Sequence, residues 1–319
     1  MSPRWRVNLL YALLCLVWSS TWLAIRLGVD GVPPFVAAAS RMLVAGSLLV
    51  TAALQVGVRF PRTRLFALQV AVQGAAQFGF NFALIYWAEQ YIPSGLTAVL
   101  FAVTPLMTAM SAACVFRIER LHSINIAGLV LGFAGVAIIY WGEVIRAAHA
   151  PALAVLAVLL ASAIVSNASV FAKRWGEQFE PLAVVGSGQL AGGIVLATLA
   201  LITEHGQAIH INARTLGALA YLIVFGSIIA YVTFFYLLRR LSVTKLSLIT
   251  YVTPVLAVLL GNVVLREALA PATFFGTALV LIGISFVYRK AHPDEPDIIV
   301  AQPCNAAEPV PQNNSSETY

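Results

Sequence analysis

Long apolar runs separated by short polar breaks recur from one end of the chain to the other. At about 20 residues per helical crossing of a bilayer, they fall at about 7–25, 35–58, 66–87, 94–116, 124–141, 152–172, 182–202, 216–238, 243–265 and 273–288. The pattern predicts an all-α integral membrane protein with ten transmembrane helices. The first run follows a short basic lead, as the core of a secretory leader would. It has no clear small-residue cleavage site, however, and ends in Trp18-Ser-Ser-Thr-Trp22 and then Arg26, so it reads as helix 1.

The run 94–116 and its successor occur twice. Thr104-Pro105 at the middle of one run matches Thr253-Pro254 at the middle of another, 149 residues on. Glu119/Glu267, Gly128/Gly276, Gly135/Gly283 and Tyr140/Tyr288 each lie 148 apart. The copy reaches back to helix 1, because Ser19/Ser166, Arg26/Lys173, Pro34/Pro181 and Gly46/Gly193 are each 147 apart. An internal repeat of five helices, an odd number, must enter the membrane upside down the second time. Inverted repeats of this kind characterise many secondary transporters, with the solute site near the midplane between halves. The expected organisation is 1–147 for the first five-helix repeat and 148–290 for the second, inverted one. Residues 291–319 are expected to form a disordered cytoplasmic tail, rich in Pro, Asn, Ser and acids.

Composition agrees with the pattern: 60% of residues are hydrophobic and 10% charged, where a soluble domain carries about a quarter charged. The net charge of +6 would suggest a nucleic-acid partner in a soluble chain. Here the basic residues sort by loop instead. With the N-terminus inside, fourteen Lys and Arg lie on the cytoplasmic side and four outside (Arg26, Arg146, Arg214 and Arg266), while Arg41 lies within a span. That bias sets both termini in the cytoplasm and the chain in the cell inner membrane, with lipid as its surroundings and no nucleic-acid partner. Cys15, Cys114 and Cys304 match no metal or redox spacing, and no disulfide is expected.

Three features together resemble the drug/metabolite transporter superfamily, in its ten-helix EamA type. They are the Trp18-to-Trp22 motif, Arg41 in helix 2, and the series Pro105–Glu119–Gly128–Gly135 with its echo Pro254–Glu267–Gly276–Gly283. The resemblance covers about 8–290 and implies two inverted five-helix repeats around a central cavity, with transport of small metabolites, often outward. One departure stands out: no acid lies between Val7 and Ile25, where the small four-helix multidrug relatives carry a membrane glutamate.

Candidate chemistry concentrates on few side chains. Arg41 is the only formal charge well inside a span, where burial costs roughly 2.5–3.5 kcal/mol on insertion scales. It suits a carboxylate or other anion held by paired hydrogen bonds. The competing readings are a bridge to Glu89 or a side chain snorkelling to the outer interface. Helix 3 carries Gln69, Gln73, Gln77 and Asn81 at steps of four, a slowly winding amide stripe about 18 Å long. Such a stripe must face protein or water, as a path lining or as a staple between helices. Thr104-Pro105 and Thr253-Pro254 predict kinks, used for gating or merely to shape the bundle, with the threonines bonding carbonyls freed in that turn. Trp18, Trp22, Tyr231 and Tyr251 could wall a cavity or serve as packing. Asn167 and Gln189 are candidate polar partners from the second half, and the glycines of helices 5 and 10 suit close packing.

Absences narrow the choice. No phosphate-binding loop is present, so no ATP-driven cycle, ATPase subunit or cofactor is expected. The five histidines lie in loops or the tail, and the carboxylates in loops, the tail or at span ends. Facilitated diffusion or exchange is therefore expected over tight proton coupling. Glu119 and Glu267 read as end-of-helix partners for Arg117, Arg120 or Arg266. Without an acid/base pair, a nucleophile with its base, or a metal cluster in the spans, the chain is not expected to be an enzyme. The expected function is secondary transport, as exporter or facilitator, of a small polar metabolite such as an amino acid. The expected site residues are Arg41, Gln73, Gln77, Asn81, Trp18, Tyr231 and Tyr251, with Pro105 and Pro254 gating. The alternatives are efflux of amphipathic toxic compounds and a membrane scaffold or sensor without transport.

Overall fold

The computed structural model describes residues 3–28, 31–146, 150–265 and 270–289, and no strand occurs among them. The helices are α1 (Pro3–Gly28), α2 (Pro34–Gln55), α3 (64–88), α4 (Ser94–Val115) and α5 (Ser123–Ile139). They continue as α6 (Ala152–Trp175), α7 (Pro181–Thr203), α8 (Ala213–Leu238), α9 (Val243–Val264) and α10 (Pro271–Tyr288). A short helix, Trp141–Arg146, follows α5. Seven of them, α2, α4 and α6 to α10, are long and apolar enough to cross a membrane, while α5 is apolar but only 17 residues. The expected tail, Cys304, Arg266 and Glu267 lie outside the described residues.

The distribution of side chains is that of a protein in lipid. Arg41, Gln69, Gln73, Gln77, Asn81, Gln189 and a series of Ser and Thr are buried. Leu201 and Val263 are 76% exposed, and Phe274, Phe275 and Ile194 also point outward. In water such a surface would be an aggregation hazard; in hydrocarbon it is the low-energy face, and the polar groups must turn inward.

Four helices depart from plain α geometry, α9 by an interruption at Leu248. α3 passes from α (Arg64–Ala71) to π (Val72–Phe80) and back to α (Asn81–Ala88). α8 repeats the pattern, with Leu222–Ile229 as its π segment. α4 is broken at Ala102 and Val103 and ends in a π turn, Ser111–Val115. A π segment shifts the backbone bonds to i→i+5, widening the turn, and such segments favour functional sites. In α3 the stripe therefore winds less than an ideal helix would make it, because a step of four falls short of a π turn.

Contacts between helices come in exchanged pairs. α1 packs on α9 and α6 on α4; α3 lies against α6 and α8 against α1; α7 lies against α3 and α2 against α8. Two contacts map onto themselves, α2 with α7 and α5 with α10. At the second of these the glycines of the repeat meet crosswise. A Cβ at Gly128 would stand 2.6 Å from the Gly283 carbonyl oxygen, and one at Gly276 2.5 Å from that of Gly135. Gly128 beside Gly283 and Gly135 beside Gly276 makes α5 and α10 antiparallel. The expectation that these glycines serve close packing holds, since only glycine lets the two backbones touch.

Acids tie distant helix ends together. Glu204, just past α7, accepts hydrogen bonds from the Phe35 and Val36 N–H groups at the start of α2, both 2.8 Å. Glu119, between α4 and α5, accepts from the Val243 and Thr244 N–H groups at the start of α9. A carboxylate there satisfies orphan donors and sits at the positive end of the helix dipole. This corrects the expectation for Glu119, whose carboxylate binds a helix terminus 124 residues away in sequence rather than a neighbouring arginine. Burial raises the Glu119 carboxyl above its usual range, against which the Thr244 and Val243 hydrogen bonds and the nearby Lys173 charge act. Lys173 itself is buried in the last turn of α6, donating to the Leu238 carbonyl at 2.8 Å and pairing with Glu177 at 2.7 Å.

Candidate functional site

The π segment of α8 is where the halves exchange polar groups. Arg41 of α2 is 5% exposed, donating from Nε to the Ser227 hydroxyl at 2.6 Å and from Nη2 to the Gly226 carbonyl at 3.0 Å. Its guanidinium lies 5.7 Å from the Phe82 ring centre, and the Tyr86 hydroxyl faces it. Gln189 of α7 donates to the Ser227 carbonyl at 3.1 Å, so three helices converge on one residue pair. Every one of these Arg41 partners is neutral, and no carboxylate pairs with it among the described residues. Neither the bridge to Glu89 nor snorkelling occurs. A guanidinium carries more N–H donors than these contacts use, which leaves it able to take an anion in place.

Glu89, immediately after α3, has one carboxylate oxygen buried without a partner, while the Ser94 side chain bonds the group. Burial pushes its pKa up to about 7, and the Ser94 bond opposes that.

Trp18, Tyr231, Phe78 and Phe234 form an aromatic cluster beside Arg41. Tyr231 meets Phe78 edge-on at 4.8 Å and Trp18 at 5.5 Å, and Trp18 lies 5.6 Å from Phe234. Trp22 has no described side chain. Tyr251 is not among them. Its hydroxyl donates to the Leu129 carbonyl at 2.8 Å and its ring fills the space over Gly132, inside the packing of α5, α9 and α10.

The amide stripe of α3 is buried along its whole length, no member being more than 4% exposed. It faces α6. Gln69 lies against Gly176, Gln73 Nε2 donates to the Ala168 carbonyl at 3.0 Å, and Ala88 shares a cluster with Ala154, Ala157 and Val158. That antiparallel register sets Gln77 level with Ser166 and Asn81 level with Ser162. Asn81 Nδ2 donates to the Gln77 carbonyl of its own helix at 3.3 Å. The oxygens Gln69 Oε1, Gln73 Oε1, Gln77 Oε1 and Asn81 Oδ1 have no partner, and neither has the Ser162 hydroxyl. Each bare buried acceptor costs about 1–3 kcal/mol, a heavy load beside a total stability of about 5–15 kcal/mol.

At Pro105 the expected kink is a break: the helix stops at Phe101 and restarts at Thr104, with the proline in the first turn of the new piece. Thr104 Oγ1 donates to the Phe101 carbonyl at 2.6 Å, the carbonyl the proline frees, as the sequence predicts. Ser166 of α6 reaches the Thr104 carbonyl at 3.2 Å and takes a hydrogen bond from Thr108 at 3.1 Å. Pro254 sits inside a continuous stretch of α9, whose interruption falls earlier, at Leu248. Asn167 accepts from Ser111 at 2.9 Å and joins α4 to α6, away from Arg41.

Sequence reasoning missed Gly226, Ser227, Phe82 and Tyr86. The repeat carried one usable signal, since Gly79 and Gly226 lie 147 apart and both fall in a π segment. No group of three or more metal-binding side chains occurs among the described residues.

Known proteins share this sequence pattern. That of the EamA-like transporter family matches residues 5–141 and again 152–289. A probable terminal-alkyne amino-acid exporter of Streptantibioticus cattleyicolor is 32% identical over 274 residues, covering 86% of this chain and 90% of its own. The uncharacterized inner membrane transporter YedA of Escherichia coli is 30% identical over 308 residues, 95% of both chains. A solved crystal structure superposes with a TM-score of 0.77 at 24% identity, over 89% of this chain and 96% of the other, and shows the same fold.

Proposed function

Because the chain belongs to the EamA-like transporter family, we propose that it is a secondary transporter of a small zwitterionic metabolite, an amino acid, with Arg41 as the anchor for the carboxylate. The observation that carries this reading is the buried guanidinium whose partners among the described residues are all neutral, Ser227, Gly226, Phe82 and Tyr86. A buried cation left without a counter-ion is costly, and an arriving carboxylate relieves that cost through charge-assisted hydrogen bonds. The amino-acid exporter among the relatives supports the substrate class and an outward direction. Trp18 and Tyr231 supply the apolar wall, and Gln73, Gln77 and Asn81 the polar one. Pro105 and Pro254 mark where α4 and α9 flex.

The wider architecture in this reading is ten crossings as two inverted five-helix repeats, 1–147 and 148–290, with both termini cytoplasmic in the inner membrane. The twofold family match, the exchanged helix contacts and the antiparallel α5–α10 crossing support the two halves. The inner membrane relative supports the location. Efflux of amphipathic toxic compounds is the second reading, favoured by the aromatic cluster at Trp18, Phe78 and Tyr231. A scaffold without transport fits the family poorly.

Flux of the twenty radiolabelled proteinogenic L-amino acids and L-propargylglycine into proteoliposomes tests the proposal. Arg41→Ala should lower transport of the accepted amino acids on the order of 10- to 100-fold, the worth of one charge-assisted contact. Unchanged flux in that variant would sink the anchor, and transport of amphipathic dyes alone would favour the second reading.

A further inference from the structure

Among Gln73, Gln77, Asn81 and Gln189 the bare buried atoms are of one kind, amide oxygens, while Gln69 at the far end of the stripe has both its oxygen and its Nε2 without a partner. Gln73, Asn81 and Gln189 each turn their NH2 end to a backbone carbonyl, those of Ala168, Gln77 and Ser227. An amide oxygen cannot make that bond, so the chemistry sets which way each amide points, and what remains free is the oxygen. Gln73 Oε1, Gln77 Oε1, Asn81 Oδ1 and Gln189 Oε1 are all buried without a partner. Ser162, level with Asn81 across α6, has an unpartnered hydroxyl that can accept as well as donate.

A seam lined with acceptors selects its occupant. A carboxylate would meet it lone pair to lone pair. Water can donate to it as well, but through neutral hydrogen bonds, roughly half as strong as those of a charged donor. A primary ammonium has three donors and no acceptor, and leaves nothing unmatched. Arg41 offers the opposite chemistry, and the two are neighbours along α3: the guanidinium lies over Phe82, the residue after Asn81.

We propose that Gln77 Oε1 and Asn81 Oδ1, with Gln73 Oε1 and the Ser162 hydroxyl beside them, form an ammonium subsite. It takes the amino group of the solute whose carboxylate meets Arg41, so it rests on the zwitterion reading and adds the second contact point. The subsite makes the amino group a requirement for transport, where Arg41 alone would accept any small carboxylate.

The test compares each accepted L-amino acid with its 2-hydroxy acid, which keeps the carboxylate and loses the ammonium, in proteoliposomes of the full chain. The hydroxy acid should move at least about tenfold more slowly, a difference near 1.4 kcal/mol. In Gln77→Leu and Asn81→Leu the ratio should fall to within about twofold, because amino-acid flux drops toward that of the hydroxy acid. Thermal shifts induced by the same solutes give a readout if a variant transports nothing, and the wild-type ratio decides even if neither variant folds. Equal transport of both solutes by the wild type overturns the subsite and leaves the Arg41 anchor standing. An unchanged ratio in both variants overturns it too, as does loss of flux when choline replaces sodium, which would give the oxygens to an inorganic cation. If no carboxylate-bearing solute moves at all, the zwitterion reading itself falls.

Discussion

The contact of α3 with α6 and that of α8 with α1 occupy equivalent places in the two halves, and both third helices widen into a π segment at the same level. Their chemistry diverges. α3 presents Gln69, Gln73, Gln77 and Asn81 to α6 and leaves their oxygens bare. α8 meets α1 with closed pairs: Tyr221 and Ser20 share a hydrogen bond of 2.6 Å, and Tyr231 packs edge-on to Trp18. Its freed polarity turns the other way, the Gly226 carbonyl and Ser227 hydroxyl holding Arg41 and the Ser227 carbonyl taking Gln189. One backbone plan thus carries an unsatisfied seam and a satisfied one. The duplicated fold kept where the helices go, and the side chains decided which contact is closed and which leaves its oxygens bare.

The contrast can be broken most sharply at Ser227. Ser227→Ala removes the hydroxyl that accepts from Arg41 Nε and leaves that donor buried and unmatched, at a cost of about 1.5–3 kcal/mol. Reversible unfolding in detergent should register that loss, and a variant as stable as the wild type would mean the α8 side is not satisfied in the way described.

The two contacts should also answer truncation with opposite signs. Without solute, Gln77→Leu deletes a bare acceptor and should raise stability by about 1 kcal/mol. Ser20→Ala breaks a made bond and should lower it by about 0.6 kcal/mol. Melting temperatures of the pair that moved in the same direction would erase the distinction.

A further test is a pH dependence at the end of α3. Burial pushes the Glu89 carboxyl up to about 7 in the folded protein, from an ordinary 4.5. The folded protein therefore binds the proton more tightly than the unfolded chain, so stability is greatest below the unfolded value and declines as pH rises toward the folded one. The melting temperature should drift down between about pH 5 and 8, and Glu89→Gln should flatten that drift. A drift that survives in the variant belongs to another group.

Local rules reached some of this from the residues alone. Periodicity placed the apolar runs, the repeat offsets picked out the glycines that meet between α5 and α10, and the proline rule found the Thr104–Phe101 bond. The burial of Arg41 and of the amide stripe also followed, since lipid offers such groups no partner. What stayed hidden depends on contacts distant in sequence or on backbone shifts without a residue signature. Leu222–Ile229 reads as any apolar helix, so its π geometry and the exposure of Gly226 and Ser227 to Arg41 could not be foreseen. Glu119 and Glu204 cap helices 124 and 169 residues away, and nearby arginines gave a false lead for the first. Tyr251 has the same residue type as Tyr231 but faces a glycine on α5 instead of the aromatic cluster, a choice set by which neighbour leaves room.

The crossing of α5 and α10 has a mechanical meaning. Main chain presses on main chain at two points, Gly128 with Gly283 and Gly135 with Gly276, so no side chain there can swing aside to let the rods slip lengthwise. A bulky residue at either contact would meet carbonyl oxygen and main chain with nowhere to yield, and would force the two helices apart along their whole length.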